Sequence, residues 1–224
     1  MKIRTLIAGN IAVLLLAAVP LVSYAQTTRF DAKPGSKMRL EGTSNVHDWQ
    51  VEGSLIGGYL EAGKDFPVEP GQTVNPGKVE AKAEAFAPVR SLKSIEKDGK
   101  PYSDRMDEVM YEHLKSPPNA RINYRLTELT LKEAPKSKDA PYVFDSKGEL
   151  VVGGVTNTIS VPVNVLPLGD KKLKISGSTT IKMSDFKIEP PAPKLALGLI
   201  KTGDEVKIIF DWNLAQKPAA AAAK

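Results

Sequence analysis

The sequence contains no cysteine and only two histidines among its 224 residues. The absence of cysteine excludes disulfide bonds, thiolate zinc sites, thioether-linked haem and cysteine nucleophiles. Two histidines are a poor supply of nitrogen ligands, so we expect no metal site, no cofactor and no catalytic residue. The sequence also lacks a glycine-rich phosphate loop between a strand and a helix, and a serine in a nucleophile-elbow context. These absences argue against the commonest metal, redox and nucleotide chemistries.

Long apolar runs are confined to the N-terminus. Lys2 and Arg4 precede an apolar run over residues 11–18, and Ser23-Tyr24-Ala25 has the small-x-small pattern of a cleavage site. Together these features predict that residues 1–25 are a secretory signal peptide, cleaved after Ala25. A membrane anchor is the alternative, but the run is short for a span of ~20 residues and no basic stop signal follows it. We therefore expect a periplasmic or secreted protein with no membrane span after cleavage.

No charge of one sign dominates the rest of the chain. Cleavage would remove Lys2 and Arg4 and lower the formal net charge from +5 to +3. The remaining lysines are interspersed with acidic residues, as on a solvated surface, so we expect no nucleic-acid partner. The 224 − 25 = 199 residues left after cleavage fit a single domain.

Apolar residues alternate with polar ones in segment after segment of this domain. Such alternation indicates antiparallel strands with one dry and one solvated face, in a closed barrel or a two-sheet sandwich. Turn signals at Gly153-Gly154 and Gly169-Asp170 join neighbouring strands as hairpins, which favours an up-and-down barrel. The clearest apolar columns are Val79, Ala81, Ala83, Ala85 and Ala87; Ile122, Tyr124 and Leu126; Ile159, Val161, Val163 and Val165; and Val206, Ile208, Phe210, Trp212 and Leu214.

We therefore predict an all-β fold, an antiparallel up-and-down barrel of about eight strands over residues 37–215. A lead-in over residues 26–36 precedes it, and a disordered alanine-rich tail over residues 216–224 follows it. The small side chains of the alanine column leave room inside the barrel. That room is filled by close packing of another element, or it is a cavity.

One segment has helical rather than strand periodicity. Met106, Val109, Met110 and Leu114 recur at helical spacing, Ser103 is placed to cap the start, and two prolines follow Ser116. We predict one amphipathic helix over about residues 103–115, inserted between two strands. Its methionine face either plugs an open end of the barrel or lines a pocket for an apolar ligand.

The segment Gly42–Trp49 contains a break in strand periodicity. Apolar residues fall on even positions before it and on odd positions from Trp49 onwards, which indicates a bulge, a bend or a tight turn. We interpret His47 as a structural histidine, with Asp48 capping backbone N–H groups of the turn. A hydrolase or metal-dependent enzyme using His47 is the alternative.

Several motifs together resemble the YceI-like family of exported bacterial proteins. They are the segment Gly42–Trp49, the passage from helix to strand over residues 114–122, the run over residues 148–156, and residues 183–191. The resemblance extends over roughly residues 35–215. Many family members carry Arg-Asp-x-His-Leu before the helix, whereas this chain has Arg105-Met106-Asp107-Glu108, with His113-Leu114 only later. The sequence therefore resembles a divergent branch of the family.

This resemblance implies a lipocalin-like barrel, typically periplasmic, whose interior holds a long isoprenoid chain such as a polyprenyl or quinone-type lipid. We expect an exported, non-enzymatic carrier whose partner is such a lipid or another apolar lipid; a homodimer is left open. A filled-barrel structural or interaction protein of the cell envelope is the main alternative. The candidate cavity-lining residues are Val46, Trp49, Ala81, Ala83, Met106, Met110, Ile122, Tyr124, Val161, Val163 and Phe210.

Overall fold

The computed structural model describes residues 27–192 and 200–217. Within these residues, no helix is long and apolar enough to cross a bilayer. The elements, in chain order, are β1 (Thr28–Ala32), β2 (Lys37–Ser44), β3 (Trp49–Gly53), β4 (Gly57–Ala62), β5 (Gly77–Lys78), β6 (Ala81–Pro88), β7 (Leu92–Ile95), α1 (Asp104–His113), β8 (Arg121–Glu133), β9 (Tyr142–Val152), β10 (Val155–Gly169), β11 (Lys172–Lys182) and β12 (Thr202–Gln216). Two 3₁₀ turns lie at Val89–Ser91 and Ser184–Phe186.

The strands form one closed antiparallel barrel. β1 and β2 are two parts of one interrupted strand, as are β3 and β4, and β6 and β7. β1 pairs with β4, and β2 pairs with β3. On their other edges β3 pairs with β7 and β4 pairs with β6, and the order then continues through β8 to β12. β12 closes the ring by pairing with both β1 and β2. With the broken strands counted once, this is the predicted eight-stranded, lipocalin-like up-and-down barrel, with α1 inserted between β7 and β8.

The apolar residues of the alternating pattern face the inside of the barrel, and the polar residues face the outside. Along β9, every second residue from Tyr142 to Val152 is buried, and the residues between them are more exposed. The buried residues are Tyr142, Phe144, Ser146, Gly148, Leu150 and Val152. Because side chains alternate between the two faces of a strand, one apolar column per strand suffices to build the interior.

The predicted lead-in over residues 26–36 contains β1, so placing the start of the barrel at residue 37 was wrong. Phe30 on β1 is 1% exposed, and Phe30 pairs with Leu60 of β4 and with Gln216 of β12. The strand is only five residues long and carries one large apolar residue, which is too little for a period-two signal. β12 ends at Gln216, one residue beyond the predicted boundary. Residues 1–25 and most of the predicted tail lie outside the described residues.

One end of the barrel is filled with large side chains, and we call this end the floor. The loop between β4 and β5 crosses it and inserts Phe66, whose ring stacks on that of Phe144 with a centroid distance of 6.0 Å and an interplanar angle of 12°. The hydroxyl of Tyr142 donates a hydrogen bond to the carbonyl of Gln72 in the same loop. The almost fully buried residues of the floor include Phe30, Phe66, Leu131, Tyr142, Phe144, Val165 and Leu173.

The segment Gly42–Trp49 is a hairpin turn, in which Gly42 pairs with Trp49 across β2 and β3. The chain reverses here, which explains why the parity of the apolar residues changes. Ser44, rather than the expected Asp48, holds the turn, because its Oγ accepts hydrogen bonds from the backbone N–H groups of Val46 and His47. The same hydroxyl donates to the carbonyl of His47 at 2.7 Å.

Candidate functional site: the internal cavity

Between the floor and α1 lies a cavity of about 500 Å³. Its wall is built from the inward columns of the strands and from one face of the helix, and it is almost entirely apolar. The alanine column leaves part of this room, since Ala83, Ala85 and Ala87 reach less far into the barrel than larger residues would. The barrel is therefore filled at one end and hollow near the other.

Ten of the eleven predicted lining residues lie on the cavity wall. The exception is Ala81, which packs among the residues of the floor and pairs with Ala62. The alanine column runs along β6 from the floor to the hollow end, and Ala81 is the first residue of that strand, next to the floor. That the other ten contact a ligand stays a prediction. They are Val46, Trp49, Ala83, Met106, Met110, Ile122, Tyr124, Val161, Val163 and Phe210.

Sequence reasoning missed several wall residues. Trp212 lies in a strand column that the period-two pattern identified, so naming the whole column would have found it. Leu150 and Ile175 lie in β9 and β11, where following the same alternation would have found them. Phe186 and Ile188 have no such signal, because they belong to a 3₁₀ turn and the residues after it. Both are buried and close the side of the cavity near the β11–β12 connection.

The helix α1 has two different faces. Its first turn is capped by Ser103, whose Oγ accepts a hydrogen bond from the backbone N–H of Met106 at 3.3 Å. Met106, Val109 and Met110 line the cavity, so the methionine face does border a pocket. The helix therefore covers the hollow end and supplies part of its wall.

A second face of α1 is held against β7 by two buried polar residues. Tyr111 donates a hydrogen bond from its hydroxyl to the carbonyl of Leu92 at 2.7 Å. Asp107, 4% exposed, accepts from the backbone N–H of Ser94 at 2.6 Å and pairs with Lys93 at 3.0 Å. Burial raises the pKa of the Asp107 carboxyl, but the Ser94 N–H and the Lys93 ammonium together lower it, and the net direction is downward. We call Asp107 and Tyr111 the helix anchor.

Few polar groups enter the cavity wall, and most of them have partners. The hydroxyl of Tyr124 donates to Ser146 Oγ at 3.4 Å, and that hydroxyl donates in turn to the carbonyl of Val161 at 2.7 Å. Burial raises the pKa of the Tyr124 phenol, and the hydrogen bond to Ser146 offsets part of this rise. The side chain of Trp212 is different: in the described part of the chain, its Nε1 is the one buried side-chain nitrogen or oxygen without a hydrogen-bond partner.

The rim of the cavity carries His47 and Tyr102, which meet edge to face. Their ring centroids are 5.8 Å apart at an interplanar angle of 78°, and the Tyr102 hydroxyl lies 3.3 Å from His47 Nε2. The other ring nitrogen of His47, Nδ1, lies 2.8 Å from the carbonyl of Asp48. Trp49, beside this turn, donates its indole N–H to the carbonyl of Thr43 at 3.2 Å. The partners of His47 are thus a phenol and a carbonyl, not the carboxylates that the enzyme alternative needs.

Metal binding finds no support in the described residues, where no group of three or more His, Cys, Asp or Glu side chains could hold an ion.

Pro191 and Ile200 line the cavity on either side of residues 193–199. The leucines at 195, 197 and 199, which the sequence offers as an edge strand or a lid, lie outside the described residues.

A closed antiparallel barrel of eight strands, with a filled floor and an apolar cavity under one helix, defines a lipocalin-like barrel with an internal site. Residues 64–214 match the model of the YceI-like domain, which is more than half of the chain. The chain therefore belongs to the YceI-like family. The match begins after the β2–β3 turn, so that motif lies outside it, although the resemblance was expected from about residue 35.

Solved structures of the same fold include two with substantial overlap. One is a polyisoprenoid-binding domain from Saccharophagus degradans implicated in plant cell wall breakdown, with a TM-score of 0.60 and 12% identity, covering 84% of this chain and 98% of that one. The other is BcnA from Burkholderia cenocepacia, with a TM-score of 0.53 and 16% identity, covering 80% of this chain and 94% of that one. No curated protein matches the chain. At these identities the likeness shows the fold.

Proposed function

We propose that this protein is an exported carrier that holds a long apolar lipid, of the polyisoprenoid or quinone type, inside its barrel. The observation that carries the proposal is the apolar cavity of about 500 Å³. Small-molecule sites commonly have volumes of about 300–1,000 Å³. The polyisoprenoid-binding domain of the same fold supports this class of ligand.

The proposed binding relies on burial rather than on charge. Each CH₂ group moved from water into an apolar wall contributes about 0.8 kcal/mol, so a chain of several isoprene units needs no ion pair to be held. Small and flexible wall residues, such as Ala83, Met106 and Met110, fit a branched and irregular chain. On this proposal no residue is catalytic, and the lipid is the only bound group.

Export is proposed from the N-terminal sequence pattern. The basic start, the apolar run and the cleavage pattern at Ala25 are typical of a secretory signal peptide. Deleting residues 2–25 should retain the protein in the cytoplasm of an expressing bacterium, whereas the full chain should reach the periplasm or the medium without those residues. Fractionation, with mass spectrometry of the mature N-terminus, checks this expectation.

The filled-barrel alternative would have no room for a lipid, and the cavity counts against it. Native mass spectrometry of the purified mature protein, followed by lipid extraction, tests the carrier proposal. We expect a bound lipid mass, and uptake of one prenyl lipid per chain after delipidation. A protein that is purified empty and takes up no prenyl lipid would contradict the proposal.

A pair of variants separates cavity binding from surface binding. Ala85→Phe places a phenyl ring in the cavity and should lower prenyl-lipid affinity at least about tenfold, because the ring occupies the space of the chain. Lys82→Phe places the same ring on the exposed face of the same strand and should leave affinity unchanged. Thermal unfolding of both variants establishes that they fold, and Val161→Phe is a second cavity-filling variant from another strand.

A further inference from the structure

The loop between β4 and β5 places one aromatic ring at the bottom of the cavity. Phe66 is 1% exposed and lines the cavity. The ring of Phe144, on which it stacks, is 0% exposed and lies outside the cavity wall. Of the four aromatic residues named for the floor, Phe66 is thus the one that a molecule in the cavity can touch.

Hydrogen bonds fix the loop that carries Phe66. The backbone N–H of Phe66 donates to the carbonyl of Gly63 at 3.1 Å, and the side-chain amide of Gln72 donates to the carbonyl of Phe66 at 3.4 Å. The hydroxyl of Tyr142 on β9 then ties the loop to the barrel through the carbonyl of Gln72. The ring of Phe66 is therefore held in place by its own loop and by the barrel.

The part of the barrel around Phe66 includes small wall residues. Ala81 on β6 pairs with Ala62 on β4, and both belong to the same apolar cluster as Phe66. Ala83, the next inward residue of β6, belongs to this cluster and also lines the cavity. Small side chains leave room that another group must fill if the interior is to be close-packed. The ring inserted from the loop fills this room, so the hollow ends at Phe66 instead of continuing into the floor.

The polar groups of the wall indicate which end of a lipid faces Phe66. The cationic or titratable wall residues His47, Arg105 and His113 belong to the β2–β3 turn and to α1, at the other end of the cavity. Deeper polar groups, Tyr124 and Ser146, already have hydrogen-bond partners. Burying an unpaired polar head at the floor would cost free energy, so the hydrocarbon tail points toward Phe66.

We infer that Phe66 sets the length of the chain that the barrel accepts, because its ring stops the tail of the lipid. This inference rests on the proposed function and extends it from a class of ligand to a limit on length. Up to the limit, each further isoprene unit is buried and raises the affinity; beyond it, further units stay outside and add little. Shortening Phe66 should move the limit to longer chains, and enlarging a neighbouring wall residue should move it to shorter ones.

A series of prenyl alcohols from geraniol to solanesol, each one isoprene unit longer than the last, tests the inference. Displacement of a fluorescent apolar probe gives the affinity of each, and the readout is the length at which affinity stops rising. Phe66→Ala should move this length up by about one unit, because a phenyl ring and an isoprene unit are similar in size. At the newly admitted length its affinity should exceed that of the wild type at least about tenfold, the effect of burying about two more CH₂ groups. Ala83→Leu should move the length down.

Phe210→Ala is the matched control, because it removes the same ring from the side of the cavity on β12. It should change the affinities by a similar factor at every length and leave the limiting length where it is. Phe66→Leu, with a smaller upward shift, replaces Phe66→Ala if thermal unfolding shows that the latter does not fold. An unchanged limit in the folded Phe66 variants, or an equal shift in Phe210→Ala, would overturn the inference and leave the carrier proposal intact. A wild type that binds none of the alcohols would instead overturn the carrier proposal.

Discussion

At the scale of single residues, Gly42 is required by its cross-strand partner Trp49. A Cβ atom at Gly42 would overlap the indole ring, and the three atoms nearest to it all belong to Trp49. The ring therefore lies against the glycine, and Trp49 borders the cavity. A glycine in a strand often marks such a close approach, but the sequence does not say which side chain approaches.

Gly42→Ala should destabilise the protein by about 1 to 3 kcal/mol, because the added methyl group displaces the indole. In the background of Trp49→Leu the same substitution should have a much smaller effect, since a flexible side chain can give way. Urea denaturation of the four proteins of this double-mutant cycle measures the coupling between the two positions. Additive effects would show that the glycine is needed for another reason.

Asp107 should contribute stability that depends on pH. Its folded-state pKa is lowered, with the Ser94 N–H and the Lys93 ammonium outweighing burial. A carboxyl whose pKa is lower in the folded state stabilises that state above the unfolded-state pKa of about 3.9, and the stabilisation is lost as the pH falls through the folded-state pKa. Asp107→Asn should therefore lower the free energy of unfolding by about 1 to 3 kcal/mol at pH 7, and by progressively less below about pH 4.

Glu108→Gln is the matched control for Asp107→Asn. Glu108 follows Asp107 on the helix and is exposed, and its ion pair with Arg105 lies in solvent. Exposed pairs contribute little, so this variant should stay within about 0.5 kcal/mol of the wild type at both pH values. Denaturation curves at pH 7 and pH 3.5 compare the three proteins. A constant difference between Asp107→Asn and the wild type over this range would refute the ionic role of the helix anchor.

At the scale of elements, α1 shows what periodicity can and cannot predict. Helical spacing identified Met106, Val109 and Met110 as one apolar face, and the structure places that face on the cavity. The same spacing carries no information about Asp107, which is a single acidic residue early in the helix. Its contact with β7 depends on the neighbouring strand, and no local pattern in the helix encodes that strand.

The two faces of α1 should respond differently to truncation. In the ligand-free protein, Tyr111→Ala should cost about 3 to 5 kcal/mol, because it removes a buried ring and its hydrogen bond to Leu92. Met110→Ala should cost less than about 2 kcal/mol, because this half-buried side chain borders empty space and has fewer contacts to lose. Prenyl-lipid affinity should fall for Met110→Ala. Chemical denaturation measures the stability of each variant, and lipid titration measures its affinity. Equal losses of stability in Tyr111→Ala and Met110→Ala would contradict different roles for the two faces.

At the scale of the whole molecule, the sequence predicts the barrel better than its closure. Period-two columns identify most of the long strands, because each has one buried face. The closing strand β1 has a single large apolar residue, Phe30, and its role depends on pairing with β4 and β12, which are distant in sequence. The hollow is likewise a property of the assembled wall, since small residues on one strand leave a cavity only where the opposite side chains fail to fill it.

A truncation at the N-terminus should show that β1 closes the barrel. A mature chain beginning at Lys33 lacks Phe30 from the floor and leaves β4 and the end of β12 with unpaired edges. We expect it to lose at least about 3 kcal/mol of stability, from the missing aromatic residue alone, and to self-associate through the open edges. A chain beginning at Thr28 keeps the strand and should match the mature protein. Urea denaturation, size-exclusion chromatography and hydrogen exchange at residues 214–216 compare the two chains. Equal unfolding midpoints would mean that residues 37–216 form the barrel without β1.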